Sequence, residues 1–379
     1  MRNDKKGKRK KSTKPEFGLI WKILLAINIF MVALYLTASY IGYVDPNSAS
    51  YLALMPMAYP LFLIATVPTL LFWVVRHRRL MLITICSWLA TIPQICTFVP
   101  VHFNDFEQAQ SEKGSYTLTT YNTLGFAGDE ETKSAIIDEI LEKNADFVCI
   151  QEGTTIDALR NRHADPDRIA RLCARYPYVH FSNHRYTVGC FSKRPTGIIT
   201  EKSIGDYFYV EAYKTSGLGG DIYIINTHME SIGLTNDDKQ LYMDLTQTGT
   251  NKQTLKGVRS HLLNKLLKAD RQRAEQARLI KSIADSLRTA SPHTPLFICG
   301  DFNDPPYTYS YLTAKGNYSD AYTDAGLGYA HTYNRNRFYF RIDNIFYDDR
   351  QVKATACRVG ASKASDHHSV TAVFSNHNK

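Results

Sequence analysis

The sequence predicts an α/β domain carried behind three transmembrane helices, and three observations point to it. Composition changes near residue 103: the first part is apolar and broken only by short basic clusters, while the rest has globular composition. The apolar part divides into three segments, each near or above the roughly 20 residues that cross a bilayer as a helix. Beyond it, short β-branched and aromatic runs alternate with stretches of helical periodicity.

The first element is a basic tail over residues 1–16, with Lys5, Lys6, Lys8, Arg9, Lys10 and Lys11 nearly contiguous. It fits a topology signal that touches anionic headgroups. The anchor over residues 17–103 follows, with spans at 17–44, 51–75 and 80–103, the last containing Pro93 and Pro100. A signal peptide has a shorter apolar region and no further spans behind it. Arg76-His77-Arg78-Arg79 separates the second and third spans, whereas the link from Asp45 to Ser50 has no Lys or Arg. The positive-inside rule therefore puts tail and second loop in the cytoplasm. Three crossings leave residues 104–379 on the opposite side, the periplasm if the host membrane is a bacterial inner membrane, otherwise the cell exterior.

Within 104–379, residues 115–123 read as a strand, 132–144 as a helix with Ile136, Ile137 and Ile140 on one face, and 145–151 as a strand buried on both faces. Further strands are expected at 221–227, 295–299, 340–347 and 369–374, and an amphipathic helix at 269–287. The polar, lysine- and threonine-rich stretch 233–268 breaks this alternation. It is longer than most connections in compact domains and reads as a lid, a partner surface or a mobile insertion, or else as a solvated loop and helix face.

Charge excludes one simple reading. Residues 1–103 hold twelve Lys and Arg against three acidic residues, and the remainder holds 33 of each sign. The +9 of the whole chain belongs to the tail and anchor together, so the domain's charge does not favour nucleic acid as a partner. Cys149, Cys173, Cys190, Cys299 and Cys357 have no C-x-x-C spacing and read as core thiols.

Polar residues recur at strand ends. Asn122 closes one strand, Glu152 follows Phe147-Val148-Cys149-Ile150, and His228 ends Ile224-Ile225-Asn226-Thr227. Asp301 and Asn303 follow Phe297-Ile298-Cys299-Gly300, Asp343 lies within Arg341-Ile342-Asp343-Asn344-Ile345, and Asp366-His367 precede the last strand. Side chains at strand ends can meet on one rim of a sheet, and carboxylates, amides and imidazoles meeting there suit metal-assisted attack on phosphate. Ser365, Asp366 and His367 cannot form a Ser–His–Asp relay, because neighbouring side chains of an extended segment point to opposite faces.

The motifs T-Y-N-T-L, C-I-Q-E-G, I-N-T-H-M-E, I-C-G-D-F-N-D, F-R-I-D-N-I and S-D-H-H-S-V stand in one order over 115–374. In this the chain resembles the endonuclease/exonuclease/phosphatase (deoxyribonuclease I-like) superfamily. The resemblance implies a four-layered α/β sandwich, two packed β-sheets flanked by helices. It implies Glu152, Asn122 and Asp366 as holders of Mg²⁺ or Mn²⁺, and His367 paired with Asp343 as general base. It gives His228 to the phosphate or leaving oxygen, and Asp301 and Asn303 to orienting nucleophile and substrate. Leu124 stands where some members carry a second carboxylate, and His368 where many carry Tyr, Arg or Cys.

The expected function is divalent-metal-dependent hydrolysis of a phosphodiester or phosphomonoester outside the cytoplasm. A phospholipid or sphingolipid headgroup, a nucleotide and a nucleic acid all remain open as substrate. An extracytoplasmic nuclease and a catalytically silent membrane-tethered binding module are the alternatives.

Overall fold

In the computed structural model the described residues are 18–182, 187–205, 208–217, 219–233, 252–335 and 339–377. The basic tail and residues 234–251 of the polar stretch lie outside them. The apolar segments form helices: Leu19–Tyr43 and Pro46–Arg76 are each long and apolar enough to cross a membrane. The third segment is two helices, Met81–Ala90 and Ile92–Phe98, meeting at 71°. The break falls at Thr91, where Pro93 enters the first turn of the second helix without an amide proton to extend the ladder. The anchor thus has two candidate spans, or three if the bent pair is one. Arg76 lies over the Trp21 ring at 4.9 Å, so the second helix returns to the level where the first began. At the other end the Tyr40 hydroxyl donates to the Ala90 carbonyl, and Gln94 Nε2 to the Ser39 carbonyl at 3.2 Å.

Twelve strands follow among the described residues. One sheet holds β1 (Ser115–Asn122), β2 (Phe147–Gly153), β3 (Tyr178–Phe181), β4 (Thr187–Ser192), β11 (Val352–Val359) and β12 (Val370–Asn376), in the order β11-β12-β1-β2-β4-β3. The other holds β5 (Thr196–Ile204), β6 (Phe208–Gly217), β7 (Gly220–His228), β8 (Leu296–Asp301), β9 (Ser319–Asp320) and β10 (Asp343–Tyr347), in the order β5-β6-β7-β8-β10-β9. Among the described strands only β1–β2 and β7–β8 run parallel, and each parallel pair is joined by a crossover that contains a helix.

Burial on both faces explains the unbroken apolar runs. On β7, Ile222 and Ile224 point between the sheets, against Leu118, Phe297 and Phe374, while Ile225 packs outward with Ala277, Ile280 and Ala284 of the helix Lys252–Ala290. The helix Glu130–Lys143 covers the other sheet through Ile136, Ile137 and Ile140. Asp129 caps it, accepting from Thr132 N at 2.9 Å, and Asn144 ends it in the left-handed region. The result is the expected four-layered sandwich.

Two expected boundaries move. The helix placed at 269–287 extends back to Lys252, so the second part of the stretch 233–268 is helical. The strand placed at 340–347 starts only at Asp343, because Phe340 and Ile342 bond to Thr332 and Phe302 outside any ladder. Cys149, Cys190, Cys299 and Cys357 are buried free thiols, as expected, and Cys173 is partly buried.

A polar seam crosses the interior. Asn226 of β7 donates to the Ile150 and Gly189 carbonyls of the opposite sheet at 3.0 and 2.9 Å, and its Oδ1 accepts from Gln151 Nε2 at 2.6 Å. Nearby, Glu211 is fully buried and its Oε2 accepts from the Tyr213 hydroxyl. Burial pushes its carboxyl up to about 7. The folded chain therefore binds that proton more tightly than the unfolded one, so stability is lost as pH rises from the usual carboxylate range through about 7. Glu211→Gln removes a penalty of about 3 kcal/mol at pH 8 and changes little at pH 4. Thermal unfolding of both forms at the two pH values checks this: a gain equal at both would show that ionisation is not its source.

Candidate active site

The strand ends named above meet at one end of the sandwich, and backbone geometry aims them. A bulge in the β2–β4 pairing between Ile150 and Gly153 leaves Glu152 at φ +48°, and Asn303 sits at φ +51°. Non-glycine residues held in this region cost energy and persist where surrounding structure fixes them. Gly300 is needed just before Asp301: at φ +143°, a Cβ there would lie 1.9 Å from the Thr227 carbonyl oxygen of β7. That close approach brings His228 level with Asp301 across the parallel pair.

Asp301, fully buried, is the centre. Asn122 Nδ2 donates to Asp301 Oδ2 at 3.0 Å and to Glu152 Oε1 at 3.2 Å. His228 Nε2 lies 3.7 Å from Asp301 Oδ2 and 3.6 Å from Glu152 Oε1. His367 Nε2 lies 3.6 Å from Asp301 Oδ2, while its Nδ1 bonds Asp343 Oδ2 at 2.8 Å. Asp301 Oδ1 accepts from Asn303 N at 2.8 Å, and Asn303 Nδ2 donates to the Met229 carbonyl at 2.9 Å. Asp366 is half-buried alongside, and its charge acts on both Glu152 and His367. All eight residues singled out in the sequence thus gather in one cluster.

Electrostatics differ among them. Burial raises the Glu152 carboxyl, against the Asn122 hydrogen bond and the His367 charge that favour the anion. Asp301 is raised by burial and by Asp343. Burial lowers His228, favouring neutral imidazole. Burial also disfavours charge on His367, but Asp343 and Asp301 outweigh it and raise the imidazole well above its ordinary value.

Several supporting residues carry no signal in a single sequence. Thr332 Oγ1 accepts from the amides of Ile342 and Asp343 at 2.9 and 3.0 Å, and the Thr332 carbonyl accepts from His368 N at 2.7 Å. One threonine thus ties both strands that hold the His367–Asp343 pair. Ser365 Oγ donates to the Asn122 carbonyl at 2.7 Å and accepts from His367 N at 3.2 Å. His368 faces away, its Nδ1 bonded to the Ser362 carbonyl at 2.8 Å. Behind Asn303, fully buried Arg273 pairs with Asp304 at 3.0 Å. Arg273→Met leaves that carboxylate buried without its counter-charge and lowers stability by about 3–5 kcal/mol, measured by chemical unfolding. Adding Asp304→Asn recovers most of the loss; no recovery would show that packing, not charge, sets it.

An oxygen-binding cation suits this donor set. Glu152 is 28% exposed at its side chain and Asp366 half-buried, so both residues are partly open to solvent, and the buried Asp343 Oδ1 has no hydrogen-bond partner among the described residues. Asp301, Asp343 and His367 also offer donor atoms within 4.8 Å of one another. The 2.8 Å hydrogen bond between two of them, however, reads as an imidazole–carboxylate pair.

The model of the endonuclease/exonuclease/phosphatase family matches residues 119–367, and that of a domain of unknown function matches residues 21–98. No curated protein matches the chain. Among solved structures, truncated TDP2 of Caenorhabditis elegans is 17% identical with a TM-score of 0.48, covering 69% of this chain and 97% of its own. The human Nocturnin catalytic domain with bound sulfate is 18% identical, TM-score 0.48, covering 69% and 94%. A family protein from Bacteroides thetaiotaomicron is 17% identical, TM-score 0.45, covering 69% and 94%.

Proposed function

The chain belongs to the endonuclease/exonuclease/phosphatase family, whose members hydrolyse phosphoester bonds, and from that premise we propose that it is a divalent-metal-dependent phosphoesterase working at the outer face of a membrane. The observation that carries this reading is the meeting of Asn122, His228 and the His367–Asp343 pair on one buried carboxylate, Asp301.

In this reading Asp343 holds the Nδ1 proton of His367, so Nε2 faces the cleft as the atom that takes a proton from water. Asp301, beside that nitrogen, orients the water. His228, kept neutral by burial, donates a hydrogen bond to a phosphate oxygen or the leaving oxygen. Asn303, fixed by Met229, presents its amide to the substrate. Glu152, Asp366 and the remaining lone pair of Asn122 Oδ1 would hold Mg²⁺ or Mn²⁺. When bound, such a cation would neutralise charge growing on phosphate and offset the Asp366 charge that acts on His367.

The membrane setting rests on residues 17–103 acting as anchor, residues 1–16 as cytoplasmic tail and 104–379 as catalytic domain. Arg76 and Trp21 gather at the end of the helix pair remote from the domain, the end that positive charge assigns to the cytoplasm. A phosphate ester at the membrane surface, including a lipid headgroup, is favoured over nucleic acid because the domain carries equal numbers of each charge.

The test uses the full chain in lipid nanodiscs against phospholipids, nucleotides and single-stranded DNA, with Mg²⁺, with Mn²⁺ and with chelator. Metal-restored release of phosphate or a phosphorylated headgroup supports the reading. Turnover of DNA alone, weakening steeply with salt, would make it a nuclease. Silence across the panel would leave a binding module.

A further inference from the structure

Two strips of exposed apolar side chain lie where the apolar helices meet the domain, on residues the active site does not use. Phe103 is 83% exposed, Val101 63%, Leu327 52%, Tyr339 51% and Tyr329 48%. Large apolar side chains grouped this way on an otherwise polar domain mark a contact surface.

The strips are joined to each other and to the anchor. Val101 lies three residues beyond the last apolar helix and pairs with Leu327 in an isolated antiparallel bridge. Gly328 N donates to the Pro100 carbonyl at 2.7 Å and His102 N to the Gly326 carbonyl at 3.1 Å. The Tyr329 hydroxyl donates to the Tyr339 carbonyl at 2.6 Å, bringing the second strip alongside the first. From Tyr339 the surface leads inward, with the His331 ring 5.1 Å from Tyr339 and 5.5 Å from His368, the neighbour of His367.

The domain is also fastened at the helix ends. A Cβ on Gly42 would lie 1.9 Å from the Tyr307 carbonyl oxygen, so the end of the first helix abuts the loop that continues from Asp301 and Asn303. Asp45 pairs with Arg278 at 2.8 Å, and Arg341, two residues before Asp343, donates to the Thr97 carbonyl at 3.3 Å. Two of the segments that carry site carboxylates, those of Asp301 and Asp343, therefore touch the outer end of the anchor, and the exposed edge is held beside whatever surrounds the helices.

We propose that the edge formed by Val101, Phe103, Leu327, Tyr329 and Tyr339 is a second membrane-contact surface, lying in the outer headgroup layer of the bilayer that the helices cross. Continuity with the anchor argues for lipid over a soluble partner. Aliphatic side chains beside tyrosines with one polar tip suit an interface that is apolar on one side and wet on the other. The inference rests on the helices spanning a bilayer and not on turnover.

Photo-crosslinking of the full chain in phosphatidylglycerol/phosphatidylethanolamine nanodiscs tests it. Benzoylphenylalanine is placed singly at Phe103, Leu327 or Tyr329, at the lipid-facing helix position Ile64, and at the exposed Ile199 on edge strand β5, across the sheet from β9. Mass spectrometry is expected to find lipid adducts at the three edge positions within about threefold of Ile64 and at least tenfold above Ile199. Adduct yields at the edge no higher than at Ile199 would overturn the proposal. So would crosslinks joining two copies of the chain in place of lipid. Adduct mass is read without substrate, so loss of the hydrolase reading would leave this result standing, and the reverse.

Discussion

His367→Ala is expected to lower kcat/KM for the chain's phosphate ester by about 10²–10⁴-fold, the usual worth of a positioned general base. His367 is held from three sides. Nδ1 bonds Asp343 at 2.8 Å, the backbone amide is taken by Ser365, and the ring meets Tyr333 edge-on at 5.3 Å. Such restraint fixes one tautomer and one orientation, which is what proton transfer in a set direction needs. Asp343→Asn should lose activity on the same scale, since its backbone amide stays anchored to Thr332 while the side chain no longer supplies charge. The double variant should be little worse than either single one, because groups that act as a unit are not additive. Steady-state kinetics of the three variants, with melting temperatures to confirm folding, checks this. Full additivity would show that the two residues work apart, and an unchanged rate in His367→Ala would remove it from the chemistry.

Glu152→Gln is expected to raise the Mg²⁺ concentration for half-maximal activity by more than about 100-fold. Removal of residues that merely orient a metal's ligands costs 10–100-fold, and loss of a charged ligand exceeds that. Glutamine keeps the side-chain shape and an oxygen that can accept from Asn122 Nδ2, so the charge alone is tested. The same substitution relieves burial of a carboxylate whose protonation is already favoured, so the melting temperature without metal should not fall. Metal titration of initial rates separates the outcomes. A lowered maximal rate with an unshifted metal requirement would move Glu152 from cation binding to substrate positioning.

Sequence periodicity located the strands that are buried on both faces. β1, β2, β7, β8 and β12 read as apolar or β-branched runs because helices cover one side and the second sheet the other. Edge and near-edge strands left weaker marks. β5 is exposed along most of its length, β9 is two residues long, and β4 contains Gly189 where a Cβ would meet Phe181 at 2.2 Å. The helix from Lys252 begins inside a stretch whose polar, lysine- and threonine-rich composition reads as an insertion, while the buried Ala274, Ala277 and Ile280 further along set a legible helical period.

The sequence by itself determined which residues end the strands, and so which polar groups could share a rim: Asn122, Glu152, His228, Asp301, Asn303, Asp343, Asp366 and His367. It also marked the apolar helices, because the bilayer requirement is one of length and composition along a single segment. Only the tertiary structure made Asp301 the centre, set Asn226 and Gln151 as the tie between sheets, and gave Thr332 and Ser365 their parts. Those are pairings between residues as far apart as 243 positions, Ser365 to Asn122. A hydrogen bond of that kind depends on how two sheets stack, which no local pattern of side chains encodes.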